Sequence, residues 1–138
     1  MTDPIRIGVA GAGYFAQLHH DSWNRLDGAE LVAVADLDLD KAAAAGVAAF
    51  GDVASMLAVE PLDVVDIVLP PSAHAETIRM CLKAGVKTII CQKPFCSSLK
   101  EARVIAAEVE HTGATLIVHE NFRFQPWYRV MKQALDDG

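Results

Sequence analysis

The hydrophobic positions of this chain fall in short unbroken runs, separated by longer stretches of helical spacing. Ile5 to Ala10 is an apolar run ending in glycines. Glu30 to Asp36 (ELVAVAD), Asp63 to Pro70 (DVVDIVLP), Val86 to Cys91 (VKTIIC) and Ala114 to Glu120 (ATLIVHE) repeat that pattern, and Val47 to Phe50 (VAAF) is short enough for an edge strand. Runs without polar alternation are the signature of strands buried on both faces. Between them the period changes to 3.6. Tyr14 to Leu26 places Phe15, Leu18, Ser22 and Leu26 on one helical face, with Trp23 beside it. Asp38 to Ala45 reads as a short alanine-rich helix, and Asp52 as the N-cap of a helix to Val59. A helix opening at Ser72 or Ala73 turns Ile78, Cys81 and Leu82 inward and closes at Gly85. Ser98 caps a helix to about Thr112, with Ala102, Ile105, Ala106 and Val109 on one face and Gly113 at its end. Trp127, Val130, Met131, Ala134 and Leu135 predict a last helix.

Such alternation means right-handed parallel βαβ units. The fold class is therefore α/β, a doubly wound, mostly parallel sheet of the Rossmann type. Composition fits one such domain: of 138 residues, 52% are hydrophobic and only 7% aromatic, so the apolar side chains are mostly those that pack helices on a sheet. The net charge is −6 and the 12 Lys and Arg are scattered, which leaves no electrostatic footprint for nucleic acid and no polybasic segment for a membrane surface. No run approaches the roughly 18 apolar residues of a membrane span, and no signal peptide is evident. Cys81, Cys91 and Cys96 lack a disulfide framework spacing, and suit reduced thiols in a cytoplasmic protein.

The most informative stretch is GAGYFA, Gly11 to Ala16, which matches G-x-G-x-x-G/A between a strand and a helix. Gly11 makes the tight turn, Gly13 leaves room for a pyrophosphate, and Ala16 lets the helix close on the strand. Tyr14 and Phe15 open that helix, whose free N–H groups favour phosphate. Gly8, inside the strand, is a close-packing position. Asp36 ends the second strand where an acid takes the adenosine ribose hydroxyls. Its charge repels a 2′-phosphate and Leu37 offers no Arg to hold one, so NAD is expected rather than NADP. A methyltransferase using S-adenosylmethionine also has a glycine loop and such an acid, but Ala16 and the Lys93–Pro94 loop disfavour it.

Three further segments fall at strand C-termini: PPSAHAE (Pro70 to Glu76), CQKPFC (Cys91 to Cys96) and HENFRFQPWY (His119 to Tyr128). With GAGYFA and Asp36, in this order, they make the whole chain resemble the N-terminal half of the glucose–fructose oxidoreductase, inositol dehydrogenase and rhizopine-catabolism family (Gfo/Idh/MocA). The resemblance implies hydride transfer between a nicotinamide cofactor and a secondary alcohol of a sugar, inositol or related polyol. It places Lys93, in the family's Glu-Lys-Pro motif, at the substrate carbinol as the catalytic residue. Gln92 stands where the family has the acid that contacts the nicotinamide ribose; an amide can still bond a ribose but cannot pair with Lys93. Pro70 through His74 matches the Thr-Pro-x-x-x-His segment beside the dinucleotide, with Pro70 replacing the Thr. Asn121 falls at the cofactor edge, and Arg123 is placed to hold a substrate hydroxyl or carboxylate.

The remaining histidines and cysteines read as structural. One of His19 and His20 is expected to pack and the other to face solvent; His111 meets its helix's C-terminal dipole, and His119 is a satisfied core residue. No cluster has metal-ligand spacing, and Cys91-x4-Cys96 is too little for a zinc or redox site. The resemblance also implies a second, larger α/β domain that supplies a histidine acid/base, the substrate wall and an oligomer interface. The 138 residues are read as the dinucleotide-binding domain without it, inactive alone; a homo-oligomer is expected, and the broad stripe of the last helix is expected to self-associate or to dock onto the sheet edge. A non-catalytic dinucleotide-binding module is the alternative, which Lys93 and Arg123 oppose.

Overall fold

The computed structural model describes residues 3–138. Six parallel strands, β1 (Ile5–Ala10), β2 (Ala29–Ala35), β3 (Ala48–Phe50), β4 (Val64–Ile67), β5 (Thr88–Gln92) and β6 (Thr115–His119), form one sheet in the order β3-β2-β1-β4-β5-β6. The chain runs outward from β1 in one direction, then returns to β4 and runs outward in the other. The reversal point lies between β1 and β4, where open α/β sheets bind ligands.

The helices are α1 (Tyr14–Trp23), α2 (Leu39–Ala43), α3 (Val53–Val59), α4 (Pro71–Lys83), α5 (Leu99–Thr112) and α6 (Pro126–Asp137), with a 3-10 turn at Asn121–Phe124 that the pattern did not reveal. Their starts are set chemically. Asp38, Asp52 and Ser98 each accept an N–H from the first turn, as expected of N-caps. α4 begins at Pro71, one residue before the expected start, because a proline at the first helical position loses no hydrogen bond there. Gly113 ends α5 with a φ of 69°, in the left-handed region. Among the described residues, no helix is long and apolar enough to cross a membrane.

α1 and α2 cover one face over β1 and β2, where Ile7, Val9, Leu31, Val34 and Ala42 pack together. α3, α4 and α5 cover the other, around Met56 and around Val65, Ile78, Ile89 and Ile105. Among the described residues, the α1 face over β5 and β6 carries no helix. A cavity of about 320 Å³ lies there, walled by Phe15, Leu18, Trp23, Leu26, Ile90 and His119. This corrects the expected inward face of α1: Phe15, Leu18, Ser22 and Leu26 look into that cavity and stay exposed, whereas the buried residues of the helix are Ala16, His19 and His20. The same openness leaves the stripe of α6 exposed; α6 packs on the 3-10 turn before it. Ala106, expected inward on α5, is also exposed, as that helix rests on Ile105 and Val109 alone.

Gly8 and Gly11 show why β1 needs glycine. A Cβ on Gly8 would run into the Leu62 side chain, and one on Gly11 into the Val68 carbonyl, a rigid backbone atom. Gly11 also has a φ of 114°, which an L side chain adopts only under strain. Gly11→Ala is expected to lower the stability to chemical denaturation by about 2 kcal/mol or more, while Gly8→Ala, whose neighbour is the end of a flexible side chain, costs less. Equal losses in urea titrations of the two variants would contradict this account.

Candidate functional site

The strand registers align the sheet's carboxyl ends. Ala10 lies beside Ala35 and Ile67, Ile67 beside Cys91, and Gln92 beside His119. The loops holding Gly11, Asp36, Pro70, Lys93 and Asn121 therefore leave from one edge. At the reversal point Gly11 donates its N–H to the Ala35 carbonyl at 2.7 Å, and Gly13 follows as the N-cap of α1. Apart from its chain neighbours, no heavy atom lies within 4 Å of where a Gly13 Cβ would stand, so the glycine leaves open space at the helix start. The first-turn amides have no intrahelical acceptor, no side chain caps them and no acid occupies that turn. Tyr14 and Phe15 are exposed, while Ala16 is buried against the sheet.

Asp36 does more than end β2. Its Oδ2 accepts the Ala12 N–H at 2.7 Å and its Oδ1 accepts the Asp38 N–H at 2.9 Å. One carboxylate thus ties the glycine turn to the start of α2, and each oxygen keeps a further acceptor direction. Leu37, the next residue, is 92% exposed.

The lysine loop departs from expectation. Lys93 and Pro94 are exposed, their peptide bond is cis, and among the described residues no carboxylate forms an ion pair with Lys93. Gln92, by contrast, is buried. Its Oε1 accepts the Lys93 N–H at 2.8 Å, and its Nε2 lies 3.2 Å from His19 Nε2 and 3.2 Å from His119 Nδ1. The amide expected at a ribose is turned into the protein. His74 is likewise fully buried, with Nε2 2.8 Å from the Leu69 carbonyl and Nδ1 3.0 Å from the Phe95 carbonyl. It binds together the loops after β4 and β5, with both ring nitrogens directed at backbone carbonyls. Pro70 is exposed as the N-cap of α4. Asn121 is half-buried at the cavity wall with its Oδ1 unpartnered. Arg123 is exposed in a separate depression with Glu120, Phe122, Tyr128 and Arg129, and Lys93 is not among its walls.

Both His19 and His20 are buried, which corrects the expectation that one faces solvent. His19 Nδ1 lies 2.7 Å from Asp66 Oδ2, and the Trp23 indole N–H donates to the same oxygen at 2.8 Å. His20 donates through Nε2 to the Gly11 carbonyl at 3.3 Å and so props the glycine turn from below. The one signal for this cluster was Asp66 itself, a lone acid inside the apolar run DVVDIVLP. His111 bonds the Ala107 carbonyl in the last turn of α5. Burial pushes the Cys81 and Cys91 thiols up to about 12, far from thiolate chemistry at neutral pH. No group of three potential ligands could hold a metal among the described residues.

Comparison with known proteins places these features in a family. The model of an oxidoreductase family with an NAD-binding Rossmann fold, GFO_IDH_MocA, matches residues 5–120. The chain is 43% identical to a D-apiose dehydrogenase of Paraburkholderia graminis over 136 residues, which are 94% of this chain and 36% of that protein. It is 36% identical to an inositol 2-dehydrogenase of Rhizobium meliloti, covering 97% of this chain and 41% of the relative. A crystal structure of an oxidoreductase from Agrobacterium radiobacter, in complex with NAD+, L-tartaric acid and magnesium, superposes with a TM-score of 0.92 at 31% identity, over 97% of this chain and 40% of that one. The chain thus spans about two fifths of the length of the relatives it matches.

The buried imidazoles make stability depend on pH. Burial, first of all, holds His20 and His119 below the ordinary value of 6.5; for His119 the neighbouring His19 adds to it. Below 6.5 the unfolded chain takes up protons that the folded chain refuses, so unfolding free energy falls as pH drops from about 6.5 towards the lowered folded values. Urea titrations between pH 7.5 and 5 are expected to show this decline, and His20→Gln, which keeps a donor for Gly11, is expected to flatten part of it. An unchanged slope in that variant would contradict the assignment to His20.

Proposed function

The chain belongs to the Gfo/Idh/MocA oxidoreductase family, and from that premise we propose that residues 1–138 are the dinucleotide-binding domain of a dehydrogenase acting on a secondary alcohol of a sugar, inositol or related polyol. The observation that carries the reading is the open hollow at Gly13 beside the free amides of α1, with Asp36 across the turn. These residues fit a dinucleotide: Gly11, Gly13, Tyr14, Phe15 and Ala16 make an anion-binding helix start, and Asp36 retains acceptor directions for two ribose hydroxyls. The same carboxylate, with exposed Leu37 beside it and no Arg there, favours NAD over NADP. Pro70 and Asn121 border the edge on which the nicotinamide would lie. A bound nicotinamide supplies the two-electron acceptor for the carbinol hydrogen.

Lys93 is this domain's share of the chemistry. Its exposed ammonium stabilises the negative charge that builds on a substrate oxygen as the hydroxyl proton leaves, or relays that proton at Nζ. With Gln92 turned inward, no acid next to it in sequence competes for that charge. Arg123, on the surface beyond β6, holds a substrate hydroxyl or carboxylate in the assembled enzyme. The relatives' names, D-apiose dehydrogenase and inositol 2-dehydrogenase, support the polyol class of substrate. The exposed apolar stripe of α6 supports assembly into a homo-oligomer.

Calorimetric titration with NAD+, NADP+ and S-adenosylmethionine tests the reading. Saturable NAD+ binding is expected, weaker NADP+ binding, and none for S-adenosylmethionine. Asp36→Ala is expected to weaken NAD+ about tenfold or more, the loss of a charged hydrogen-bond acceptor being about 1.5–3 kcal/mol. Gly13→Val puts branched bulk where an added Cβ meets nothing within 4 Å beyond its chain neighbours, and is expected to abolish binding while the chain stays folded. The 138-residue chain alone is expected to give no steady NAD+ reduction with any polyol. NAD+ binding that survives Gly13→Val unchanged would overturn the placement of the dinucleotide.

A further inference from the structure

Beneath the lysine loop runs a chain of polar groups that the proposed reaction does not use: buried Asp66 on β4, His19 on α1 and Gln92 on β5, and half-buried His119 on β6. Its hydrogens can be placed by elimination. The Lys93 backbone N–H can only donate, so the Gln92 atom that meets it at 2.8 Å is the oxygen. The Gln92 atom 3.2 Å from both imidazoles is then the amide nitrogen, which has two hydrogens and no acceptor. Both ring nitrogens facing it must accept. His19 therefore carries its proton on Nδ1, where Asp66 Oδ2 receives it at 2.7 Å, and Trp23, an obligate donor, confirms that oxygen as an acceptor. His119 carries its proton on Nε2.

We propose that Gln92 is a positioning residue whose amide locks His19 as the neutral Nδ1–H form and His119 as the neutral Nε2–H form, and that this locked chain fixes the backbone from which Lys93 projects. The consequence for Lys93 rests on its proposed role; the histidine states do not. An imidazolium at His19 would need an acceptor opposite Nε2, and Gln92 offers none without giving up the Lys93 N–H. The charged and titratable groups around the rings are Asp66 on β4 and Glu120 just past β6, with His20 beside His19 on α1. Burial disfavours a proton on His119, in keeping with its neutral form. The two rings also meet edge to face, with centroids 4.9 Å apart, an arrangement that two cations would resist.

The lock predicts what a one-atom change does. In Gln92→Glu the side chain can only accept, so His19 gains a proton on Nε2 and stands as an imidazolium between two carboxylates. In Gln92→Met the acceptor for Lys93 is lost along with both donors. Long-range nitrogen–proton NMR correlations on the ring nitrogens read these states directly, without nucleotide or substrate. The wild-type chain is expected to show His19 protonated on Nδ1 alone and His119 on Nε2 alone at pH 7. Gln92→Glu is expected to convert His19 to the doubly protonated pattern at pH 7. In Gln92→Met, amide exchange at Lys93 is expected to quicken at least tenfold while the β5 amides of Ile89 to Cys91 stay protected. A wild-type His19 protonated on Nε2, rings indifferent to Gln92→Glu, or Lys93 exchange unchanged in Gln92→Met would each overturn the proposal. Because nucleotide titration is a separate measurement, failure here leaves the dinucleotide reading standing, and failure there leaves the lock standing.

Discussion

The close approach of β1 to the end of β4 is the constraint on which the rest depends. Gly11 turns the chain against the Val68 carbonyl with a φ no other residue adopts easily, and that turn sets where α1 begins. Everything functional is measured from there. Gly13 becomes the helix start, its hollow opens at the sheet's reversal point, and the parallel registers bring four other loops to the same edge. A side chain at position 11 would push the two strand ends apart and separate the helix dipole from the crevice it serves.

Two carboxylates then hold the site together in different ways. Asp36, half-buried, accepts backbone N–H groups from the glycine turn and from the start of α2, so it organises the turn and keeps an acceptor direction open on each oxygen. Asp66 is 1% exposed and spends one oxygen on His19 and Trp23, while its other oxygen has no partner among the described residues. A carboxylate that deep is tolerated through such charged hydrogen bonds, each typically contributing about 1.5–3 kcal/mol. The burial that makes the arrangement costly also makes it specific. Few placements of α1 against β4 let His19 and Trp23 reach the same oxygen.

The sheet is covered unevenly. One face is packed along its length by α3, α4 and α5, whereas on the other α1 and α2 stop short of β5 and β6. That asymmetry explains why apolar side chains of α1 line an open cavity and why α6 keeps its stripe exposed. It also explains how polar groups come to sit so near the carboxyl edge. Where no helix closes over the strands, His119 and Asn121 are only half-buried, and His19 is reached from β5 and β6 rather than sealed beneath another helix.

The strands, the caps and the glycine turn were legible from sequence because their causes are local. An unbroken apolar run, an Asp or Ser before a helix and a glycine that must take a positive φ act over a few residues each. Asp36 and the family resemblance were legible because the spacing of strand, turn and helix fixes them in one dimension. The partners of buried polar groups were not legible. His19 meets Asp66, Gln92 meets both histidines, and His74 spans two loops across separations that only strand order creates. Nor could the pattern say which face of α1 is inward, since that depends on which strands the helix covers. Sequence determined the elements and the chemistry at their ends; the tertiary structure decided which polar groups face solvent and which face one another, because burial and hydrogen-bond pairing are set by neighbours distant in the chain.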